Sequence, residues 1–206
     1  MALASVDYGL GLSNLKFIEP MLLAPATALP EGPNWAYEVK LDGYRALAIK
    51  TNGKVQLRSR NDKNFNTRYP VILRALAGLP DDTIVDGEVV ALDDAGRPSF
   101  NLLQNFGSSM TSVVYYVFDV MVLNGRDVMS EQLSARRKLL QQQVLPMLHE
   151  PVRESLILEA SLADLIPAVR AQGLEGSSPS DRIAATSRDI ARAPGRRCGS
   201  IRGRSS

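Results

Sequence analysis

Tyr37-Glu-Val-Lys-Leu-Asp-Gly-Tyr-Arg45 alternates apolar and charged residues up to a turn dipeptide. Tyr37, Val39 and Leu41 share one parity and Glu38 and Lys40 the other, a period of two that predicts a strand with one apolar face and both charges on the opposite face. Asp42-Gly43 tolerates positive φ, so the local pattern predicts a two-residue hairpin returning through Tyr44–Ile49, with Lys40 and Arg45 as cross-strand neighbours. Facing cations cost stability in a sheet, and a neighbouring cation favours the neutral, nucleophilic amine of a lysine. Two readings stand at this point: a reactive lysine, or a solvated hairpin whose charges face water.

Outward from this stretch the same grammar repeats. Thr51-Asn-Gly-Lys54 is a second turn, leading into Val55–Arg60, and Thr83-Ile-Val-Asp86-Gly87-Glu88-Val-Val-Ala-Leu92 reads as a third turn-bearing strand pair. Thr67–Leu79 carries Tyr69, Ile72, Leu73 and Leu76 at helical spacing. Ser99 starts a short helix to Phe106, Val113–Leu123 is a buried strand closed by Asn124-Gly125, and Ser130 caps a helix to about Leu145. Ser155–Ala160 reads as a strand, and Ser161 with Asp164 as a capping box for a helix to Gln172. Asn-Gly and Asp-Gly turns between alternating strands predict an α+β fold of antiparallel sheets with flanking helices. The chain has no P-loop and no Rossmann glycine fingerprint.

The 206 residues suffice for one large domain, and 45% apolar with 22% charged residues is an ordinary globular composition. One cysteine and one histidine exclude a disulfide framework, a cysteine cluster for zinc and a histidine-centred metal site. No apolar run reaches the length of a membrane span and no signal peptide is evident, so the expected location is cytoplasmic, without a membrane. The net charge of +2 conceals an asymmetry: residues 177–206 hold seven Arg against Asp181 and Asp189, leaving the body at −3. The basic pI is therefore weak evidence for nucleic-acid binding by the body.

Lys40-Leu-Asp42-Gly43-Tyr-Arg45 resembles the Lys-x-Asp-Gly-x-Arg signature of the ATP-dependent DNA ligases and related covalent nucleotidyltransferases. Asp86-Gly87-Glu88 is similar to the third ligase signature, Tyr116-Val-Phe118-Asp119 to the strand that stacks an aromatic on adenine, and Arg58–Phe65 to the segment that carries a further nucleotide-site arginine. Phe17–Met21, Pro98-Ser-Phe100 and Arg136-Arg137 match the texture of the ligase module of bacterial multidomain non-homologous end-joining ligases. The resemblance implies an ATP-grasp-like adenylation domain acting in DNA repair and recombination. It makes Lys40 the catalytic nucleophile that takes AMP from ATP, and Glu38, Arg45, Arg60, Glu88 and Phe118 the nucleotide-binding residues, Glu38 at the adenine amino group. It also assigns Glu88 and Glu175 to Mg²⁺ or Mn²⁺. Nicked or broken double-stranded DNA is the implied substrate and Ku an implied partner. Capping guanylyltransferases share the lysine signature, but the intervening segments favour a ligase.

The resemblance runs from about Lys16 to Gly176, after a loose leader over residues 1–15. Gly173-Leu-Glu175-Gly176 opens the fourth signature, which the family continues with aliphatics, Ala, Lys and Arg; here Ser177-Ser-Pro-Ser180 follows. Residues 177–206 hold Ile183, Ile190 and Ile201 as their large apolar residues, which predicts a disordered Arg/Ser-rich tail. With one choice of codons for Ser177–Asp181, a one-base shift of frame would restore the missing motif, so the tail is expected to be out of frame, which the gene sequence tests. The family's later lysines and its oligonucleotide-binding-fold domain are not found in the chain, which predicts weak ATP binding, poor self-adenylation and little nick sealing. A remnant without catalysis, or a DNA-binding accessory using the arginines, is the alternative from another functional class.

Overall fold

A computed structural model of the chain describes residues 15–21, 23–26, 28–107, 111–155, 157–158, 160–171, 183–188 and 198–203. Among the described residues, eleven strands form two sheets. In chain order they are β1 (Leu23–Ala26), β2 (Trp35–Val39), β3 (Tyr44–Thr51), β4 (Lys54–Ser59), β5 (Thr83–Leu92), β6 (Ser112–Leu123), β7 (Arg126–Asp127), β8 (Val152–Glu154), β9 (Ile157–Leu158), β10 (Ile183–Ser187) and β11 (Cys198–Gly203). The helices are α1 (Pro70–Ala75), α2 (Phe100–Gln104), α3 (Leu133–Leu139) and α4 (Leu162–Ala171). None of the described helices is long and apolar enough to cross a membrane.

The larger sheet runs β4-β3-β5-β6-β7, antiparallel throughout, with β8 added parallel to β6. One face carries the main core: Ala46, Ala48, Val85, Val89, Tyr115 and Val117 meet Ile72, Leu76 and Leu103 from α1, α2 and the turn after α1. The other face buries Leu47, Ile49, Ile84 and Met121 beneath Leu15, Phe17 and Ile18. The smaller sheet runs β1-β11-β10-β2-β9 and packs Tyr37, Ile183 and Ala185 against Leu162 and Leu165 of α4.

Several local expectations are met. Asn52-Gly53 and Asn124-Gly125 sit at positive φ (50° and 71°, 50° and 78°) and close the β3–β4 and β6–β7 hairpins. Ser99 Oγ accepts from the Leu102 amide, and Ser161 Oγ from the Asp164 amide at 3.2 Å. Ser130 is not the cap of α3, which begins after Gln132, and beyond Leu139 the backbone continues as a π-turn and a 3₁₀-turn to Met147.

The Asp-Gly dipeptides are corrections. β2 and β3 are not a hairpin: β2 pairs with β9 and β10 in the smaller sheet, β3 with β4 and β5 in the larger. Asp42-Gly43 lies in a crossover between sheets, and Val39 is 42% exposed, so the apolar face ends at Tyr37. Asp86-Gly87 is not a turn either. It sits inside the continuous strand β5, where the β5–β6 register shifts between Asp86 and Gly87. A third correction concerns the region beyond Gly176. Residues 183–187, expected to be disordered, form β10, because small residues with one isoleucine suffice for a strand already flanked by β2 and β11.

Candidate active site

The crossover from β2 to β3 opens a cavity of about 840 Å³ between the two sheets. Glu38 reaches it from the end of β2, Lys40 and Gly43 from the crossover, Arg45 from the start of β3, Glu88 from β5 and Phe118 from β6. Arg60, just beyond β4, joins them, and its amide donates to the Arg45 carbonyl at 3.0 Å. Seven residues spread over 81 positions thus share one cleft, of the size that takes a nucleotide. Glu175 lies outside the described residues.

Strand register explains how they converge. Arg45 stands opposite Glu88, and Glu88 opposite Tyr116, so alternate residues of β3, β5 and β6 point to the cavity while Ala46, Gly87 and Val117 face the core. Gly43 is needed for space: a Cβ there would come 2.2 Å from the Val89 carbonyl oxygen. That close approach lets the Gly43 amide donate to Glu88 Oε1 at 3.0 Å, tying the crossover to β5.

Charge in the cleft is arranged in buried pairs. Arg45 forks onto Asp86, Nε to Oδ1 at 2.7 Å and Nη2 to Oδ2 at 3.0 Å, and its guanidinium lies 4.1 Å from the centre of the Phe118 ring. Arg136 forks onto Asp119 in the same manner, at 2.8 and 3.0 Å. Arg137 pairs with Glu38 across the sheets. Burial pushes the Glu88 carboxyl up to about 7, against the opposing pull of Arg45 and the Gly43 amide. Burial also raises Glu38, opposed first by Arg137 and then by Arg45.

Sequence reasoning missed Asp86, Arg136 and Arg137 as parts of this network. Asp86 sits in a dipeptide that looks locally like a turn, and an ion pair between residues 41 or 99 apart leaves no local signal. Ala184 and Thr186 of β10 also line the cavity, on the wall nearest β2. Carboxylates, arginines and an aromatic around a lysine suit a purine nucleotide: an aromatic face for the base, cations for phosphates and a lysine amine as nucleophile.

A family model described as the ATP dependent DNA ligase domain matches residues 20–177. The chain belongs to the ATP-dependent DNA ligases. It is 38% identical over 190 residues to the multifunctional non-homologous end joining protein LigD of Mycobacterium bovis, covering 89% of this chain and 23% of that protein. LigD of Pseudomonas aeruginosa is 36% identical over 164 residues, 78% of this chain and 19% of the relative. Among solved structures, mycobacterial DNA ligase D complexed with ATP and MES superposes with a TM-score of 0.74 at 32% identity, covering 90% of this chain and 60% of that one. The Chlorella virus DNA ligase-adenylate, at 19% identity and a TM-score of 0.58, shares the fold. The ligase chain thus corresponds to the adenylation domain and spans less than a quarter of these curated relatives' length.

Proposed function

We propose that the cleft binds ATP and that Lys40 Nζ is the nucleophile of a ligase adenylation reaction. The observation that carries this is the gathering of Lys40, Arg45, Arg60, Glu88 and Phe118, with Glu38, around one cavity. In the reaction the neutral amine forms a P–N bond to the α-phosphorus, the α–β P–O bond breaks, pyrophosphate leaves with the electron pair, and the nitrogen gives up one proton to solvent or to the leaving pyrophosphate. Phe118 offers a face to the base, and Arg45, held flat by Asp86, offers a fixed positive charge beside it. Arg60 is exposed at the rim, where it meets phosphate.

A divalent cation fits the donor set on one side only. Glu88 supplies one carboxylate, and no group of three or more His, Cys, Asp or Glu is assembled among the described residues, so triphosphate oxygens would complete the shell. When bound, Mg²⁺ or Mn²⁺ would neutralise the charge that develops on the phosphates. Glu88, whose carboxyl burial holds up near 7, would ionise beside that cation. Glu175 is a further candidate ligand.

The subsequent steps, transfer of AMP to the 5′-phosphate of a nick and its displacement by the 3′-hydroxyl, make nicked or broken double-stranded DNA the proposed substrate. The names of the LigD relatives support a role in non-homologous end joining, and Ku is a partner that the family resemblance alone suggests. Because Ala184 and Thr186 bring no cation to the wall beside β2, adenylation is expected to be slow. Incubation with ATP and Mg²⁺ should give a mass gain of one AMP, lost on treatment with acid and absent in Lys40→Ala. Failure to detect a Lys40-dependent adduct after long incubation overturns the nucleophile assignment.

A further inference from the structure

Arg136 and Arg137 are neighbours on α3 with opposite duties. Arg136 is fully buried, and its guanidinium is spent on both oxygens of Asp119 and on the Glu131 carbonyl, which locks α3 to β6. Arg137 is 6% exposed and turns the other way, to Oε1 of Glu38 in the other sheet. Its Nε–H has no hydrogen-bond partner among the described residues, so Glu38 is the group that the guanidinium serves in the fold. Both residues line the cavity.

We propose that Arg137 is a positioning residue that makes the cleft select 6-amino over 6-oxo purines by fixing the orientation and the charge of Glu38. The inference rests on the nucleotide reading above, with the base edge at Glu38. With Oε1 engaged by Arg137, an ionised Glu38 has Oε2 left to turn to the base edge, and a carboxylate oxygen can only accept. The amino group of adenine donates to it; the O6 of guanine or hypoxanthine meets it lone pair to lone pair and is left desolvated without a partner. Mispairing of this kind discriminates strongly because a buried polar group is left unmatched.

The surroundings make Arg137 necessary for that role. Burial drives Glu38 toward its protonated form, which carries an O–H able to donate to O6. The charged groups facing it are Arg137 from α3, Arg45 from β3 and Asp119 from β6, the last favouring protonation; across the strand pairs stand Ala184 of β10 and Ile157 of β9. Arg45 and Asp119 are each engaged in their own forks, with Asp86 and Arg136. Arg137 is therefore the cation committed to keeping Glu38 an acceptor.

The test is calorimetric titration of the full chain with ATP and with GTP at about pH 6 and pH 8, in wild type, Arg137→Gln, Arg137→Lys and Glu38→Gln. The ratio of the two dissociation constants is the readout, since protonation of the triphosphate or of Glu88 affects both nucleotides alike. Wild type should prefer ATP at both pH values. Arg137→Gln should lose about tenfold or more of that preference at pH 6, chiefly by gaining affinity for GTP, and recover part of it at pH 8 as Glu38 ionises unaided. Arg137→Lys should keep most of the preference, and Glu38→Gln should lose it at both pH values, since an amide can present either group. An unchanged ratio in Arg137→Gln, or equal weakening of both nucleotides at both pH values, overturns the proposal and marks Arg137 as structural. Equal binding of ATP and GTP by wild type overturns it while leaving the nucleotide site standing. Binding of neither nucleotide removes both readings. If Arg137→Gln does not fold, Arg137→Met carries the same expectations, and an unchanged ATP-to-GTP ratio in it overturns the proposal.

Discussion

Glu88 is buried beside Arg45 and Gly43, whereas the metal-binding role proposed for it would require it to ionise. Burial raises its carboxyl from 4.5 to about 7. Between those values the folded chain binds more protons than the unfolded chain, so its stability falls as pH rises through the window. Glu88→Gln removes the titration and keeps an oxygen for the Gly43 amide. We expect wild type to lose on the order of 2 kcal/mol relative to Glu88→Gln between about pH 5 and pH 8, measured by urea unfolding at each pH. Equal pH slopes for the two proteins would show that Glu88 titrates at its ordinary value. The Asp86–Arg45 and Asp119–Arg136 pairs obey a different rule, because each is a buried charge matched by a fork. Asp119→Ala leaves Arg136 uncompensated at 0% exposure and should cost about 3–5 kcal/mol in the same assay. The grouping of Lys40, Glu88 and Phe118 around one cavity is legible in the sequence because each sits in a short local signature. Asp86, Arg136 and Arg137 are not, because their meaning lies in partners from other strands.

At the scale of the element, the lesson concerns what a glycine signals. The Asn-Gly pairs are turns because both residues take positive φ, a backbone state that Asn and Gly tolerate. The Asp-Gly pairs at 42–43 and 86–87 are glycines for space. A Cβ on Gly87 would lie 2.5 Å from the Tyr116 carbonyl oxygen and 2.7 Å from the Tyr115 ring, which crosses β5 to donate from its hydroxyl to the Ala46 carbonyl. A dipeptide cannot reveal a ring arriving from another strand, so the local reading produced two hairpins where the fold has a crossover and a continuous strand. Gly87→Ala should therefore cost about 3 kcal/mol through overpacking, and Gly53→Ala, in open space at φ 71°, about 1 kcal/mol. Similar losses for both substitutions would indicate that Tyr115 can withdraw from β5. The antiparallel α+β architecture survived these errors because strand identity rests on alternation and β-branched content, which hold whether a glycine turns the chain or passes beneath a ring.

For the molecule as a whole, the cleft exists because β2 and β3 belong to different sheets, and the smaller sheet depends on β10. In the order β1-β11-β10-β2-β9, β10 pairs with all five residues of β2, whereas β9 pairs with two. Ile183 and Ala185 are fully buried against Tyr37, Leu162 and Leu165, so this strand also supplies part of the smaller core. Composition concealed it, since Ile183 is the one large apolar residue of β10 and the strand is defined by the neighbours that flank it. Ending the chain at Gly176 would remove β10 and β11 together. β2 would then keep its short edge with β9, while β5, paired on both sides within the larger sheet, would lose nothing. Hydrogen exchange on the shortened chain should show residues 35–39 exchanging at least about a hundredfold faster than in the full chain, with residues 83–92 still protected. Ile183→Ala in the full chain should move in the same direction by about 2–5 kcal/mol. Because Glu38 lies in the last two residues of β2 and Lys40 directly follows the strand, ATP affinity should fall with the protection of β2. Retained protection of residues 35–39 after truncation would mean that β10 does not carry this sheet and that the lysine is positioned from the β3 side alone.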